Sequence, residues 1–397
     1  MSQSSFGMQS TELVYVGIVL ALLVIPKALQ RFRIPAPLTT FVFGIAAGLA
    51  VESMGHDPTL ALLSTLGISS LFLFAGLEIE LDAFRKGRWP LLGYLLVRIV
   101  ALAGFAWGGT YFLDLSWQAA ALLALALLTP STGFILDTLA EQGLNENERF
   151  WVASKAVAGE ILALLVLFVV LQSGSVSSLA VSSLALIALL AVLPFLFIMF
   201  GRFLLPYAPG SEFSLLVMVG LIAAYLTKQL GVYYLVGAFL AGFVARLLRE
   251  RMPLLASHEN LRAVRLFASF FVPFYFFHSG LAIPSEAFQW RSLALGLAIS
   301  ALLLPCRIGF QWLHRRLVFD ESSGSSLRVS ITLAPTLIFT LVLAGILHER
   351  YAIPDPLYGA LLVYAALSTA LPSFLAKARV ADFDPLATRK KQASGES

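Results

Sequence analysis

Apolar runs long enough to cross a bilayer follow one another along almost the whole of this 397-residue chain. A spanning helix needs about 20 apolar residues, because the hydrocarbon core is about 30 Å thick. Thirteen such runs lie near 13–30, 36–52, 60–79, 90–112, 117–140, 151–171, 177–203, 212–228, 231–248, 264–283, 291–313, 327–347 and 356–377. Lipid offers the backbone no hydrogen bonds, so runs of this kind predict helices. The expectation is an all-α polytopic membrane protein with about 13 transmembrane helices. With 59% apolar and only 13% charged residues, a soluble core cannot account for the chain. The first run has no basic stretch before it and no small-residue cleavage motif after it. It predicts a spanning helix and not a removed leader.

Soluble-enzyme chemistry finds no foothold. Cys306 is the only cysteine and the five histidines lie far apart, which leaves no internal disulfide and no metal-ligand spacing. No GxGxxG, GxxxxGK[ST] or HExxH occurs, so neither nucleotide binding nor metallohydrolysis is predicted, and no cofactor is expected. The net charge of +4 does not point to nucleic acid, because the basic residues are sorted by side. With thirteen spans, the odd-numbered loops and the C-terminus share one side and hold nearly all the Lys and Arg. The other side holds Lys228, Arg291 and Arg350. The positive-inside rule then predicts a cytoplasmic C-terminus, an external N-terminus and contacts between the basic loops and inner-surface lipid headgroups, in the inner (cytoplasmic) membrane of a cell.

The two halves echo each other. Ala75-Gly76-Leu77-Glu78-Ile79, then Asp82-Ala83-Phe84, is matched by Ser279-Gly280-Leu281-Ala282-Ile283, then Glu286-Ala287-Phe288. Thr129-Pro130-Ser131-Thr132 in the fifth span has a counterpart in Ala334-Pro335-Thr336 of the twelfth, and Ala47-Gly48 in Ala241-Gly242. Matching spans are seven apart, an odd number, so partners cross the membrane in opposite directions. This inverted-topology repeat is common in secondary transporters, whose substrate site lies near the midplane between interrupted helices. Pro130 and Pro335 each remove a helix hydrogen bond, which predicts two broken crossing helices.

Glu160 sits alone near the middle of the sixth run. A carboxylate there costs roughly 2.5–3.5 kcal/mol on insertion scales, and residues kept at that cost bind, relay or pair charge. Glu160, Gly159 beside it, and the Thr129, Ser131 and Thr132 side chains at the fifth-span proline are the candidate ion-binding residues. Arg98, about two turns into the fourth span, could pair with Glu160 or Asp137. Asp137, near the inner end of the fifth span, could attract cations. Lys155, about one turn into the sixth span, could snorkel to the inner surface. Pro335 and Thr336 mark the second break in the pathway.

Four stretches carry a family resemblance: Phe72-Leu73-Phe74-Ala75-Gly76-Leu77-Glu78, Gly237-Ala238-Phe239-Leu240-Ala241-Gly242, Phe271-Val272-Pro273-Phe274-Tyr275-Phe276 leading to Gly280-Leu281, and Gly159-Glu160. Over about residues 12–378 the chain resembles the cation:proton antiporter superfamily, in the branch of bacterial sodium/proton antiporters and glutathione-gated potassium-efflux systems. The resemblance implies exchange of a monovalent cation, Na⁺ or K⁺, for H⁺ in a homodimer. It implies a core of about 90–171 and 291–377 moving against a dimerisation scaffold of about 13–79 and 212–283, with 177–203 as linker and 379–397 as a short cytoplasmic tail. The family carries an acidic pair, or Asn or Gln followed by Asp, where this chain has Gly159-Glu160. The first ligand therefore lacks a side chain and the second is one methylene longer. Arg307 stands where the family places a membrane lysine or arginine, and the resemblance makes it the charge partner of Glu160. One titrating acid implies near-electroneutral exchange. A sodium-coupled carrier for a small organic anion, and a non-transporting sensor derived from an antiporter, are the alternatives.

Overall fold

The computed structural model describes residues 2–79, 87–208, 210–253, 257–319 and 321–375. The predicted tail at 379–397 lies outside the described residues, as does the side chain of Asp137. Fifteen α-helices and no strand occur among the described residues. In chain order they are α1 (Ser2–Gln30), α2 (Ala36–Ala50), α3 (Pro58–Leu77), α4 (Arg88–Phe112), α5 (Trp117–Leu128), α6 (Thr132–Thr138), α7 (Glu146–Gln172) and α8 (Val176–Phe203). They continue as α9 (Glu212–Gln229), α10 (Tyr234–Leu247), α11 (His258–Leu281), α12 (Trp290–Phe319), α13 (Ser323–Thr332), α14 (Leu337–Tyr351) and α15 (Asp355–Leu375).

Short polar residues set where many of these helices begin. Asp57 accepts from the N–H groups of Thr59 and Leu60, with Pro58 at the first helical position of α3. Asn145 and Glu148 form a reciprocal capping box at the start of α7. Ser116, Ser175, Ser257 and Ser322 cap α5, α8, α11 and α13. Each supplies an acceptor to an amide that the helix itself leaves open.

Among the described residues, ten helices are long and apolar enough to cross a membrane, or eleven when the bent pair α13 and α14 counts as one span. At 15 and 14 residues, α2 and α10 are shorter than that measure. The fifth and twelfth predicted runs are each found as two helices. Between α5 and α6 the chain is non-helical at Thr129, Pro130 and Ser131. Between α13 and α14 the break falls at 333–336, with a 42° bend. In both places the proline lacks an N–H for the helix ladder.

The helices pack in two groups. α2, α3, α9, α10 and α11 form one; α4, α5, α12, α14 and α15 form the other, with α7 and α13 against it. α8 touches both, through α7 on one side and α9 and α10 on the other. Within the first group, main chains meet without a side chain between them. A Cβ on Gly76 of α3 would lie 2.2 Å from the Phe239 carbonyl oxygen of α10, and one on Gly242 would lie 2.1 Å from that of Leu73. A Cβ on Gly280 of α11 would lie 2.4 Å from the Phe41 oxygen of α2, and one on Gly44 2.1 Å from that of Phe277. The outer helices α1 and α8 expose Leu20, Val24, Val181, Leu184 and Phe195, as a lipid-facing surface requires.

Candidate ion-binding site

The two breaks cross each other in the middle of the second group. Ser131 N–H donates to the Pro335 carbonyl at 2.8 Å, and Ile338 N–H donates to Ser131 Oγ at 3.3 Å. The amide opening α6 and the hydroxyl beside it are thus engaged by the opposite break.

The last carbonyls of α5 would be orphaned by the break, and each has a donor. Thr129 N–H continues the ladder to the Leu125 oxygen. The Ala126 oxygen would have faced the N–H that Pro130 lacks, and it accepts instead from the Thr340 hydroxyl at 2.7 Å. The Leu127 oxygen, left by Ser131, accepts from the Tyr364 hydroxyl at 2.7 Å. The Leu128 oxygen takes two guanidinium groups, Arg98 Nη2 at 2.9 Å and Arg307 Nη2 at 3.4 Å. Arg307 Nη1 also reaches the Ala334 oxygen at 3.1 Å and the Tyr364 hydroxyl at 2.6 Å. The buried C-terminal ends of α5 and α13 carry partial negative charge, which these cations complement.

The other side of the crossing is provisioned differently. Glu160, only 2% exposed, shares a closed niche with Ser131, Thr132, Phe72, Phe339 and Ala75. Its Oε2 has no hydrogen-bond partner, and neither do the hydroxyls of Thr129 and Thr132. The Thr132 hydroxyl lies beside the carboxylate without completing a hydrogen bond. Among the described residues Glu160 makes no ion pair. An acidic oxygen and the Thr132 hydroxyl beside it, both out of water, are hard donors of the kind that an alkali cation takes. A second cavity of about 110 Å³ runs between the two helix groups, lined by Arg265, Ser269, Thr40 and Phe134. It shares Leu71, Gly133 and Ile338 with the Glu160 niche.

Several sequence expectations are corrected here. Arg307 does not pair with Glu160: its donors go to the carbonyls of Leu128 and Ala334 and to Tyr364, because uncapped half-helix ends are the nearer negative charge. Arg98 likewise bonds the Tyr94 hydroxyl at 2.9 Å and the Leu128 oxygen, and not Glu160. Lys155 does not snorkel. It is 0% exposed, with Nζ 3.4 Å from His314 Nδ1 and 5.2 Å from the Tyr94 ring centre. The Thr336 hydroxyl is engaged by Ser368 at 3.0 Å and Thr340 at 2.8 Å, so it serves the break itself. Tyr364 and Thr340 do not stand out in the sequence. Their signal is one more hydroxyl in a largely apolar run, which many membrane helices carry.

A crossing of two interrupted helices, with a buried carboxylate beside it, defines a membrane transporter and not an enzyme. The comparisons sharpen this. The model of the family described as sodium/hydrogen exchanger, transmembrane, matches residues 18–377, and the chain belongs to that family, within the cation:proton antiporter superfamily. It is 24% identical over 360 residues to a Na⁺/H⁺ antiporter of Enterococcus hirae, covering 88% of this chain and 92% of that one. It is also 24% identical over 384 residues to a probable Na⁺/H⁺ antiporter of Methanocaldococcus jannaschii, covering 93% and 97%. The solved structure of the sodium proton antiporter MjNhaP1 from the same organism shares its fold, with a TM-score of 0.65 over 93% of this chain and 96% of that one at 13% identity.

Proposed function

We propose that this chain exchanges one monovalent cation, Na⁺ or K⁺, for one proton, with the Glu160 carboxyl as the shared site. The observation that carries the reading is the unpartnered Glu160 oxygen, buried in one niche with the open hydroxyl of Thr132. Desolvation favours the neutral form of a carboxyl and a bound cation favours the ionised one, so the two ions displace each other. In the forward step the carboxyl O–H breaks, the proton leaves, and the cation takes the carboxylate oxygens; the reverse step restores the acid. Each cycle then carries one cation against one proton. The exchange is therefore near electroneutral.

Access alternates by displacement of the second helix group, as core, against the first, as scaffold, with α8 linking them. The cavity that adjoins the Glu160 niche supports entry along the seam between the groups. The glycine contacts support the inverted repeat: α3 against α10 becomes α11 against α2 when the proposed partners are exchanged. Thirteen crossings, an external N-terminus, residence in the inner membrane, lipid contact at the basic loops and a homodimer complete the reading. The two arginines of the crossing would suit a small organic anion, but both give guanidinium donors to main-chain oxygens, which favours the cation.

Proteoliposomes with an internal pH dye and an imposed proton gradient test this. Addition of Na⁺, K⁺ or Li⁺ is expected to cause cation-dependent dequenching that is lost in Glu160→Gln. Identical traces with and without cation, from folded unmutated protein, would sink it.

A further inference from the structure

Gly159 is one residue before Glu160, and the space where its side chain would stand is filled. A Cβ there would lie 3.2 Å from Arg98 Nη1, 3.3 Å from Arg98 Cζ and 3.5 Å from Pro130 Cγ. The guanidinium of α4 therefore rests against bare backbone of α7, at the level of the α5–α6 break. It is held there by Tyr94 and the Leu128 oxygen, is 7% exposed, and keeps a buried Nε without a partner. Any side chain at 159 would meet a fixed cation within van der Waals distance. Successive helix residues point about 100° apart. Arg98 and the Glu160 niche thus lie on adjacent sides of α7.

We infer that Arg98 and Gly159 form a specificity-determining pair, in which Arg98 is a positioning residue whose guanidinium occupies the slot of a second side chain and fixes the site at one exchangeable charge. Arg98 does not touch the transported ion in this arrangement. It sets the charge that accompanies Glu160 and removes position 159 from the ligand set. This rests on the exchange reading above.

The consequence is a rule about second carboxylates. An acid introduced at 159 meets the guanidinium, forms an ion pair with it and adds no exchangeable charge. The same acid becomes a second exchanging group once the cation is gone. The test is a set of four proteins in liposomes with clamped voltage: the unmutated chain, Gly159→Asp, Arg98→Gln, and Gly159→Asp with Arg98→Gln. Glutamine keeps an N–H donor for the Leu128 oxygen while removing the charge.

Exchange by the first three is expected to be insensitive to voltage. The double variant is expected to become voltage-dependent, approaching the roughly fifty-fold shift in equilibrium per 100 mV that one net charge carries. Voltage dependence in Gly159→Asp alone, or its absence in the double variant, overturns the inference. Melting temperature gives a second readout that does not need transport. Gly159→Asp alone should melt higher than the double variant by at least about 2 °C more than the unmutated chain melts above Arg98→Gln. Equal differences in the two backgrounds overturn the pairing. If the unmutated protein shows no cation-dependent exchange while the melting pattern holds, the antiporter reading fails and takes the transport role of Arg98 with it. The packing contact itself would then stand.

Discussion

The two sides of the helix crossing are equipped in opposite ways. On the carbonyl side, the oxygens of Ala126, Leu127, Leu128 and Ala334 all receive donors, from Thr340, Tyr364, Arg98 and Arg307. On the carboxylate side, Glu160 Oε2 and the Thr132 hydroxyl receive none. A buried polar atom without a partner costs about 1–3 kcal/mol, so the first side stabilises the break and the second holds capacity for a ligand. The contrast separates the residues that make the crossing from those that use it.

The sharpest way to break this contrast is Glu160→Gln, which keeps the shape and removes the charge. Exchange should fall to background, and stability should stay within about 1 kcal/mol, because the amide fills the same space in the niche. A variant that still exchanges would move the site elsewhere. Arg307→Ala attacks the other side. It strips donors from the Leu128 and Ala334 oxygens, and unfolding stability should drop by about 1.5–3 kcal/mol, the worth of hydrogen bonds to a charged group. A change in cation affinity at unchanged melting temperature would return Arg307 to the role of charge partner.

Thr132→Val sharpens the boundary between the two. Its hydroxyl supports no protein hydrogen bond, so stability should hardly change, while the cation KM rises by about three- to tenfold, near 1 kcal/mol. An unchanged KM would remove Thr132 from the ligand set. An effect of similar or smaller size lies outside the crossing, at the cap of α3. Burial alone would raise the Asp57 carboxyl, but donors from the Tyr15 hydroxyl and the Leu60 and Thr59 amides, with the charge of His278, hold it below the usual carboxylate value. Its contribution is present above the unfolded carboxyl value of about 3.9 and is lost as pH falls through the lower folded value. Asp57→Ala should cost about 0.5–2 kcal/mol at neutral pH and nothing at the acid end. A cost that does not depend on pH would mean that the charge is not what caps the helix.

Much of this is legible in the residues. The apolar runs locate the helices because lipid permits little else, and Pro130 and Pro335 locate the breaks because a missing N–H is a local fact. Glu160 stands out for the same reason: a lone acid in a spanning run has no ordinary explanation. Pairing across helices is what a sequence does not carry. Opposite charges attract, which predicts that Arg307 and Glu160 meet, but the orphaned carbonyls at 128 and 334 are also negative, and they exist only once the breaks are folded. The path to water expected for Lys155 is closed by α12, which places His314 over it. Gly159 reads as a missing ligand; only the fold reveals that Arg98 stands in its place.

Four glycines of the first helix group have a mechanical consequence. Gly44, Gly76, Gly242 and Gly280 set backbone directly on backbone, with no layer of rotatable side chains to act as a cushion. Those joints cannot yield by a change of rotamer, so they behave as welds. Any slip between parts of the molecule has to be absorbed where side chains still separate the main chains, along the line from Arg265 through Leu71 to Ile338.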